Sequence, residues 1–360
     1  MSTRRPNAPP GDALTYVRSG VDVAAGEQAV EAIKAHVRST FRPEVIGDIG
    51  GFGGLFDISR LPHRNPVLVA STDGVGTKSL VARLTGRYDT IGIDCVAMSV
   101  DDIAAQGAEP LLFLDYLSVG KLDVTIVDDV VAGVAEGCRR AGCALVGGEM
   151  SEHPGILEPG ELDLVGFALG VVESGRMLPA GVVPGDRIIG LTSPGLRCNG
   201  YSLARAVLLE RAGRDLQGPA WNRADHTLAD ELLRPSEIYA PALLGLRRHA
   251  EVHAFAHVTG GGIAANLARV LPPSCDAVVW RGTWEEPRIF AEVQAAGEVD
   301  DDEMERVFNL GLGMLAVVPE GAVHAALDSV RAAGHEAWEV GEVGSGEGRV
   351  GLHPRAPDHV

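Results

Sequence analysis

The chain is predicted to mix helices and strands, as an α+β or α/β protein, in two domains. Three observations lead to that reading. Its 360 residues exceed what one hydrophobic core usually serves. Apolar runs of strand length alternate with segments of helical period. Aromatic residues are only 5% while hydrophobic residues reach 46%, so the core must rest on Val, Leu, Ile and Ala.

The elements follow in order. Residues 1 to about 12 are proline-rich and polar and are expected to be disordered. A helix is expected from about Gly26 to Val37, with Ala29, Val30, Ile33 and Val37 on one face and Lys34 beside it. The glycine cluster Gly47, Gly50, Gly51, Gly53 and Gly54 fails the dinucleotide fingerprint, because Phe56 stands where its last glycine belongs. Pro66 to Thr72 reads as a buried strand that runs into Asp73-Gly-Val-Gly-Thr-Lys78. Ile91 to Gln106 is helical. Ile93, Val96, Val100 and Ile103 face inward, and Cys95, Ser99, Asp102 and Gln106 form a polar stripe. Gly107 is placed to end it. Leu111 to Leu117 is a strand, Val124 to Ala141 a helix, and Cys143 to Val146 a strand that feeds a Gly147-Gly-Glu149 loop. Leu164 to Val172 closes the first half, and a boundary is expected near residues 173–177. The second half opens on the strand ending at Leu191 and alternates helix, strand and glycine loop. It ends in a turn at Gly344–Gly348 and a short last strand.

Charge and cysteines exclude several classes. A net charge of −18 and a pI near 5.0 leave no basic footprint for nucleic acid, and they disfavour anionic membrane surfaces. Five cysteines in no zinc spacing are expected to be thiols of a reducing, cytoplasmic compartment. The N-terminal stretch lacks the apolar core of a signal peptide, and no apolar run has the length of a membrane span.

Phosphate chemistry is the strongest functional signal. Asp73, Gly74, Gly76, Thr77 and Lys78 follow a strand directly. A carboxylate there can hold Mg²⁺, the glycines let N–H groups approach an anion, and a lysine neutralises phosphate. The spacing is not that of a P-loop, which needs four residues between its first glycine and Gly-Lys. Asp73, Asp102 and Glu149 together could converge on a metal; each could equally cap a turn or helix. His257-Val-Thr-Gly-Gly-Gly262 opens a helix and is either an anion site or a plain turn. Asn199-Gly-Tyr-Ser202 and Asn309-Leu-Gly-Leu-Gly313 are weaker motifs of the same kind.

Taken together, the motifs resemble the phosphoribosylformylglycinamidine cyclo-ligases, or aminoimidazole ribonucleotide synthetases. The resemblance covers Tyr16 to the C-terminal region. It is carried by Gly50-Gly-Phe-Gly-Gly54, Asp73–Lys78, Gln106-Gly-Ala-Glu-Pro110, Val146-Gly-Gly-Glu149, Asn199–Ser202, His257–Gly262 and Phe308–Gly313, among others. It implies an α+β subunit of two domains. An N-terminal mixed-sheet domain, to about residue 174, binds ATP and pairs in a homodimer. A C-terminal domain from about residue 175 binds a ribonucleotide substrate. It further implies ATP-dependent closure of an imidazole ring in purine biosynthesis. An alternative is a diverged enzyme that activates another amide or formamide. By the same resemblance Asp73, Asp102 and Glu149 hold Mg²⁺ and ATP phosphates. Lys78 neutralises phosphate, and Gly74, Gly76, Thr77, Asn199, Thr259, Gly260 and Gly261 line the nucleotide. Lys34, Asp102 and His257 serve the chemistry, His257 as a proton-transfer group. The chain departs from the family pattern at Arg197-Cys198, Met150 and Ser236-Glu237.

Overall fold

The computed structural model describes residues 14–354, so the expectation for residues 1 to about 12 lies outside the described residues. Two sheets organise the chain. The first half contributes β1 (Val45–Ile46), β2 (Leu55–Phe56), β3 (Pro66–Gly74), β4 (Glu109–Val119), β5 (Ala144–Glu152) and β6 (Leu162–Glu173). Its helices are α1 (Val23–Arg38), α2 (Lys78–Thr85), α3 (Asp89–Ala105) and α4 (Val124–Ala141). The second half contributes β7 (Arg187–Thr192), β8 (Ala254–His257), β9 (Cys275–Arg281), β10 (Leu312–Val318), β11 (Ala337–Ser345) and β12 (Val350–Pro354). Its helices are α5 (Tyr201–Arg205), α6 (Leu228–Leu232), α7 (Ala240–His249), α8 (Gly262–Ala268), α9 (Arg288–Gly297), α10 (Asp301–Val307) and α11 (Val323–Ala332).

The first sheet has the order β3-β6-β4-β5, and the second β12-β9-β11-β7-β10-β8. Both are mixed: β4 pairs parallel with β5, and β12 parallel with β9. β1 and β2 form a separate hairpin whose tip is the glycine cluster.

Each face of the first sheet has its own character. One face packs on α3 and α4, and α3 is buried almost all round. That is expected of a helix enclosed on every side. α3 and α4 approach closely because Gly92 and Gly133 meet at the crossing. A Cβ on Gly133 would fall 2.2 Å from the Asp89 carbonyl oxygen, and one on Gly92 would fall 2.3 Å from that of Val130. The other face carries Leu68, Tyr116 and Phe167 in the open, at 54%, 39% and 38% exposure.

One expectation is corrected. Gly147-Gly-Glu149 is not a loop: β5 continues through it to Glu152. The glycines mark close approach within the sheet, since a Cβ on Gly148 would lie 2.1 Å from Asp115 Oδ1.

Candidate functional site

The residues meet where edge strand β3 of one sheet faces edge strand β8 of the other. Ser71 on β3, Asp102 and Gln106 from α3 and its end, His257 at the end of β8, and Asn266 on α8 with Arg269 just past its end line a cleft of about 530 Å³. Each element delivers its residue for a local reason. β3 alternates, so Ser71 and Asp73 share the face that meets α3. The polar stripe of α3 brings Asp102 alongside, and Ser71 Oγ donates to Asp102 Oδ2 at 3.0 Å. His257 Nδ1 lies 2.9 Å from Asp102 Oδ1.

Asp102 lines the cleft, and Asp73 lies near enough for the Asp102 charge to act on its carboxyl. Burial raises the Asp73 carboxyl above the ordinary carboxylate range, and the Asp102 charge pushes it further the same way, while the Gly74 N–H at 2.7 Å opposes both. Burial would also raise Asp102, but the hydrogen bonds it accepts from His257 and Ser71, with the Arg269 charge, leave it below the usual value. The Asp102 side chain is 42% exposed, so it faces the cleft, while His257 is 3% exposed.

Loops from both halves close on this point. Gly76 and Thr77 are exposed, and Thr77 opens α2 without a side-chain cap; the Ser79 and Leu80 N–H groups already bond the Gly76 and Thr77 carbonyls, so the N–H groups open to a ligand are those of the turn itself, Gly76 to Lys78. Thr77 Oγ1 is 3.2 Å from Ser202 Oγ, bridging the halves. Asn199 lies against Gly260, and its Oδ1 is buried without a partner. Thr259, Gly260 and Gly261 form the turn into α8, with Gly261 in the left-handed region at φ 96°.

Three expected residues lie elsewhere. Lys78 is fully buried, with Nζ 2.6 Å from Asp94 and donating to the Arg234 carbonyl at 2.7 Å. Asp94 Oδ1 also accepts the Ser236 N–H and hydroxyl at 2.8 and 2.6 Å. Lys78 thus ties α2 and α3 to the Arg234–Ser236 segment, and its charge is spent before any phosphate arrives. Glu149 is exposed on β5, the far edge of the sheet from Asp73. Three strand spacings separate those edges, about 14 Å. Register also pairs Glu149 with Tyr116 on the open face, whereas Asp73 shares a face with Asp115. Among the described residues no three His, Cys, Asp or Glu side chains gather as a metal site. Lys34 lies on α1, paired with Glu31, and lines a separate groove with Asp22 and Glu152.

Glu149 instead borders a second cavity, of about 570 Å³, between α1, the glycine-bearing β1–β2 tip and the ends of β4 and β5. Val30, Ile33, Leu145, Val146 and Met150 supply apolar walls. Asp115 is partly open to this cavity but walled in by the sheet, and burial pushes its carboxyl up to about 7.

Sequence reasoning missed Ser71, Asn266 and Arg269. Ser71 had a signal, being two residues before Asp73 in an alternating strand. Arg269 follows Asn266 by one helical turn, and its Nη1 lies 3.3 Å from Asn266 Oδ1, but nothing local marks either as site-facing.

This fold and site define a member of the AIR synthase related class. The model of the AIR synthase related protein N-terminal domain matches residues 55–172, and that of the C-terminal domain matches residues 183–353. Among solved structures, the chain is similar to thiamine-monophosphate kinase from Stenotrophomonas maltophilia K279a. The match has a TM-score of 0.68 at 21% identity and covers 90% of this chain and 96% of that one. It is also similar to E. coli HypE, a hydrogenase maturation protein, with a TM-score of 0.63 at 17% identity and 93% and 95% coverage. Curated relatives are nearer in sequence. A phosphoribosylformylglycinamidine cyclo-ligase of Anaeromyxobacter dehalogenans is 52% identical over 334 residues, covering 92% of this chain and 96% of that protein. One of Trichlorobacter lovleyi is 48% identical over 332 residues, with 92% and 95% coverage. The chain belongs to the phosphoribosylformylglycinamidine cyclo-ligase family.

Proposed function

We propose that the chain is an ATP-dependent cyclo-ligase that converts formylglycinamidine ribonucleotide to aminoimidazole ribonucleotide, ADP and phosphate. The carrying observation is identity near half to cyclo-ligases over 92% of the chain. The cleft supports it, because Asp73, Asp102 and the Gly74–Thr77 turn stand where a triphosphate would be handled.

The chemistry sets what the site must do. The formyl oxygen attacks the γ-phosphorus, an O–P bond forms, and the bond to ADP breaks. The amidine nitrogen then attacks the activated carbon, the C–O bond breaks, phosphate leaves, and the nitrogen gives up a proton. Phosphoryl transfer needs positioning and neutralisation of charge more than covalent help. The exposed turn at Gly76 and Thr77, through its own N–H groups, would receive phosphate oxygens. Arg269 supplies a cation to the cleft and fits a substrate phosphate.

Mg²⁺ fits the donors present. It is typically held by one or two carboxylates together with substrate phosphates. Asp73 and Asp102 are such a pair, the Asp102 charge raising the Asp73 carboxyl. Mg²⁺ would supply neutralisation of the triphosphate. Glu149 belongs instead with the apolar cavity, which we assign to the adenosine part of ATP, with Lys34 in the neighbouring groove.

We further propose a homodimer built on the open face of the first sheet, where Leu68, Tyr116 and Phe167 lie exposed. The boundary between an ATP-binding N-terminal unit and a substrate-binding C-terminal unit falls at about residues 174–175, between β6 and β7. No helix among the described residues is long and apolar enough to cross a membrane, and we place the enzyme in the cytoplasm. The test is turnover with Mg²⁺-ATP and formylglycinamidine ribonucleotide. ADP and aminoimidazole product should form in equal amounts. ATP binding without product would favour another amide or formamide as substrate.

A further inference from the structure

The Arg197 side chain is 1% exposed, although its backbone sits in the left-handed region at φ 62°. For a residue other than glycine that conformation costs energy, and the surrounding contacts must hold it. Nη1 donates to the Glu237 carbonyl at 3.1 Å, and the guanidinium lies 4.9 Å from the centre of the Tyr239 ring. Nη2 donates to Asp101 Oδ2 at 3.1 Å. Asp101 is itself fixed, because its Oδ1 accepts the N–H groups of Tyr239 and Ala240 at 2.8 and 2.9 Å, at the N-terminus of α7.

Nη2 has one more neighbour, His257 Nε2 at 3.0 Å. A guanidinium has N–H donors and no lone pair, so the atom it meets must accept. Nη2 carries two hydrogens, and Asp101 and His257 use both. His257 Nε2 therefore holds a lone pair, and the ring's proton lies on Nδ1, where it donates to Asp102 Oδ1 at 2.9 Å. Arg197 therefore donates in two directions, to Asp101, which also accepts from the α7 N-terminus, and to His257, which in turn donates to Asp102.

We infer that Arg197 is a positioning residue for the phosphoryl-transfer site: it holds His257 in one tautomer, so that His257 orients the Asp102 carboxylate and takes no proton from substrate. This rests on Asp102 serving the reaction proposed above. It replaces the expected proton-transfer role of His257, because neither ring nitrogen is open to a substrate. The proton released on ring closure goes to another group or to water.

The tautomer is read directly by long-range ¹H–¹⁵N correlation spectra of ¹⁵N-histidine-labelled protein without ligands. The chain has 11 histidines, and His257→Gln identifies the signal by its disappearance. The expected spectrum shows a protonated Nδ1 and an unprotonated Nε2. A protonated Nε2, or a doubly protonated ring, overturns the proposal. That measurement uses only wild-type protein and the assignment variant, so it needs neither a known substrate nor a folded Arg197 variant. Arg197→Met should move the His257 signals and lower kcat roughly tenfold, the usual scale for a partner that orients a catalytic group. Arg197→Lys should recover most of both. Unmoved His257 signals in a folded Arg197→Met protein would also overturn it. If the spectrum matches but no ADP forms from formylglycinamidine ribonucleotide, the proposed substrate fails and the positioning role stands.

Discussion

Lys78→Met separates the two roles open to this lysine. In the structure Lys78 and Asp94 are both fully buried and 2.6 Å apart. Removing the ammonium leaves a carboxylate in the core without its counter-charge, which typically costs about 3–5 kcal/mol. Asp94 keeps two hydrogen bonds from Ser236, which favours the lower end. The Arg234 carbonyl loses its 2.7 Å donor, which adds about 1 kcal/mol or more. The expected loss is about 4 kcal/mol, read as a lower urea midpoint at unchanged slope. Because the damage is the stranded charge, Lys78→Met/Asp94→Asn should lose less than the two single changes summed, with a coupling of about 2 kcal/mol. The ATP KM of the folded fraction, assayed in the cold, should move less than about threefold, since Lys78 reaches no solvent. Stability within about 1 kcal/mol of wild type, together with a large rise in ATP KM, would refute the reasoning and return Lys78 to the phosphate.

Three further outcomes are expected. Asp115 is held at about 7 in the fold against about 4 when unfolded, so the folded state binds the extra proton between those values. Its contribution is present at low pH and is lost as pH rises through 7. Asp115→Asn should therefore gain about 4 kcal/mol at pH 8 and little at pH 4, and equal urea midpoints at pH 8 would contradict this. Gly133→Ala drives a Cβ to 2.2 Å from backbone that cannot step aside, so a loss of about 3 kcal/mol is expected in thermal or urea unfolding. Phe167→Asp places a charge on the open apolar face and should shift the sedimentation coefficient from dimer to monomer; an unchanged dimer would remove that face from the interface.

What the sequence made legible follows the range of its signals. α4 appears at its expected bounds because both ends are marked locally, by Asp123 as N-cap and Gly142 in the left-handed region as C-cap. Asp102 and His257, both read from the sequence, are in contact and Asp73 lies near enough to sense the Asp102 charge, since a strand end, a helix stripe and a glycine turn each announce themselves. Lys78 misled because its partner Asp94 lies on another helix and the third contact lies at Arg234. Glu149 misled because glycines in an edge strand look like those of a loop, and only register shows that Asp73 and Glu149 occupy opposite edges. Arg269 was missed because the cleft is made by two sheet edges, which no local pattern records.

The most direct test of the account follows one oxygen atom. Formylglycinamidine ribonucleotide labelled with ¹⁸O in its formyl group is turned over with unlabelled Mg²⁺-ATP in unlabelled water, and the released phosphate is examined by mass spectrometry. Attack of the formyl oxygen on the γ-phosphorus predicts one ¹⁸O atom in each phosphate formed. Unlabelled phosphate would mean that water attacks ATP, and the cleft of Asp73 and Asp102 would then not be where the amide is activated.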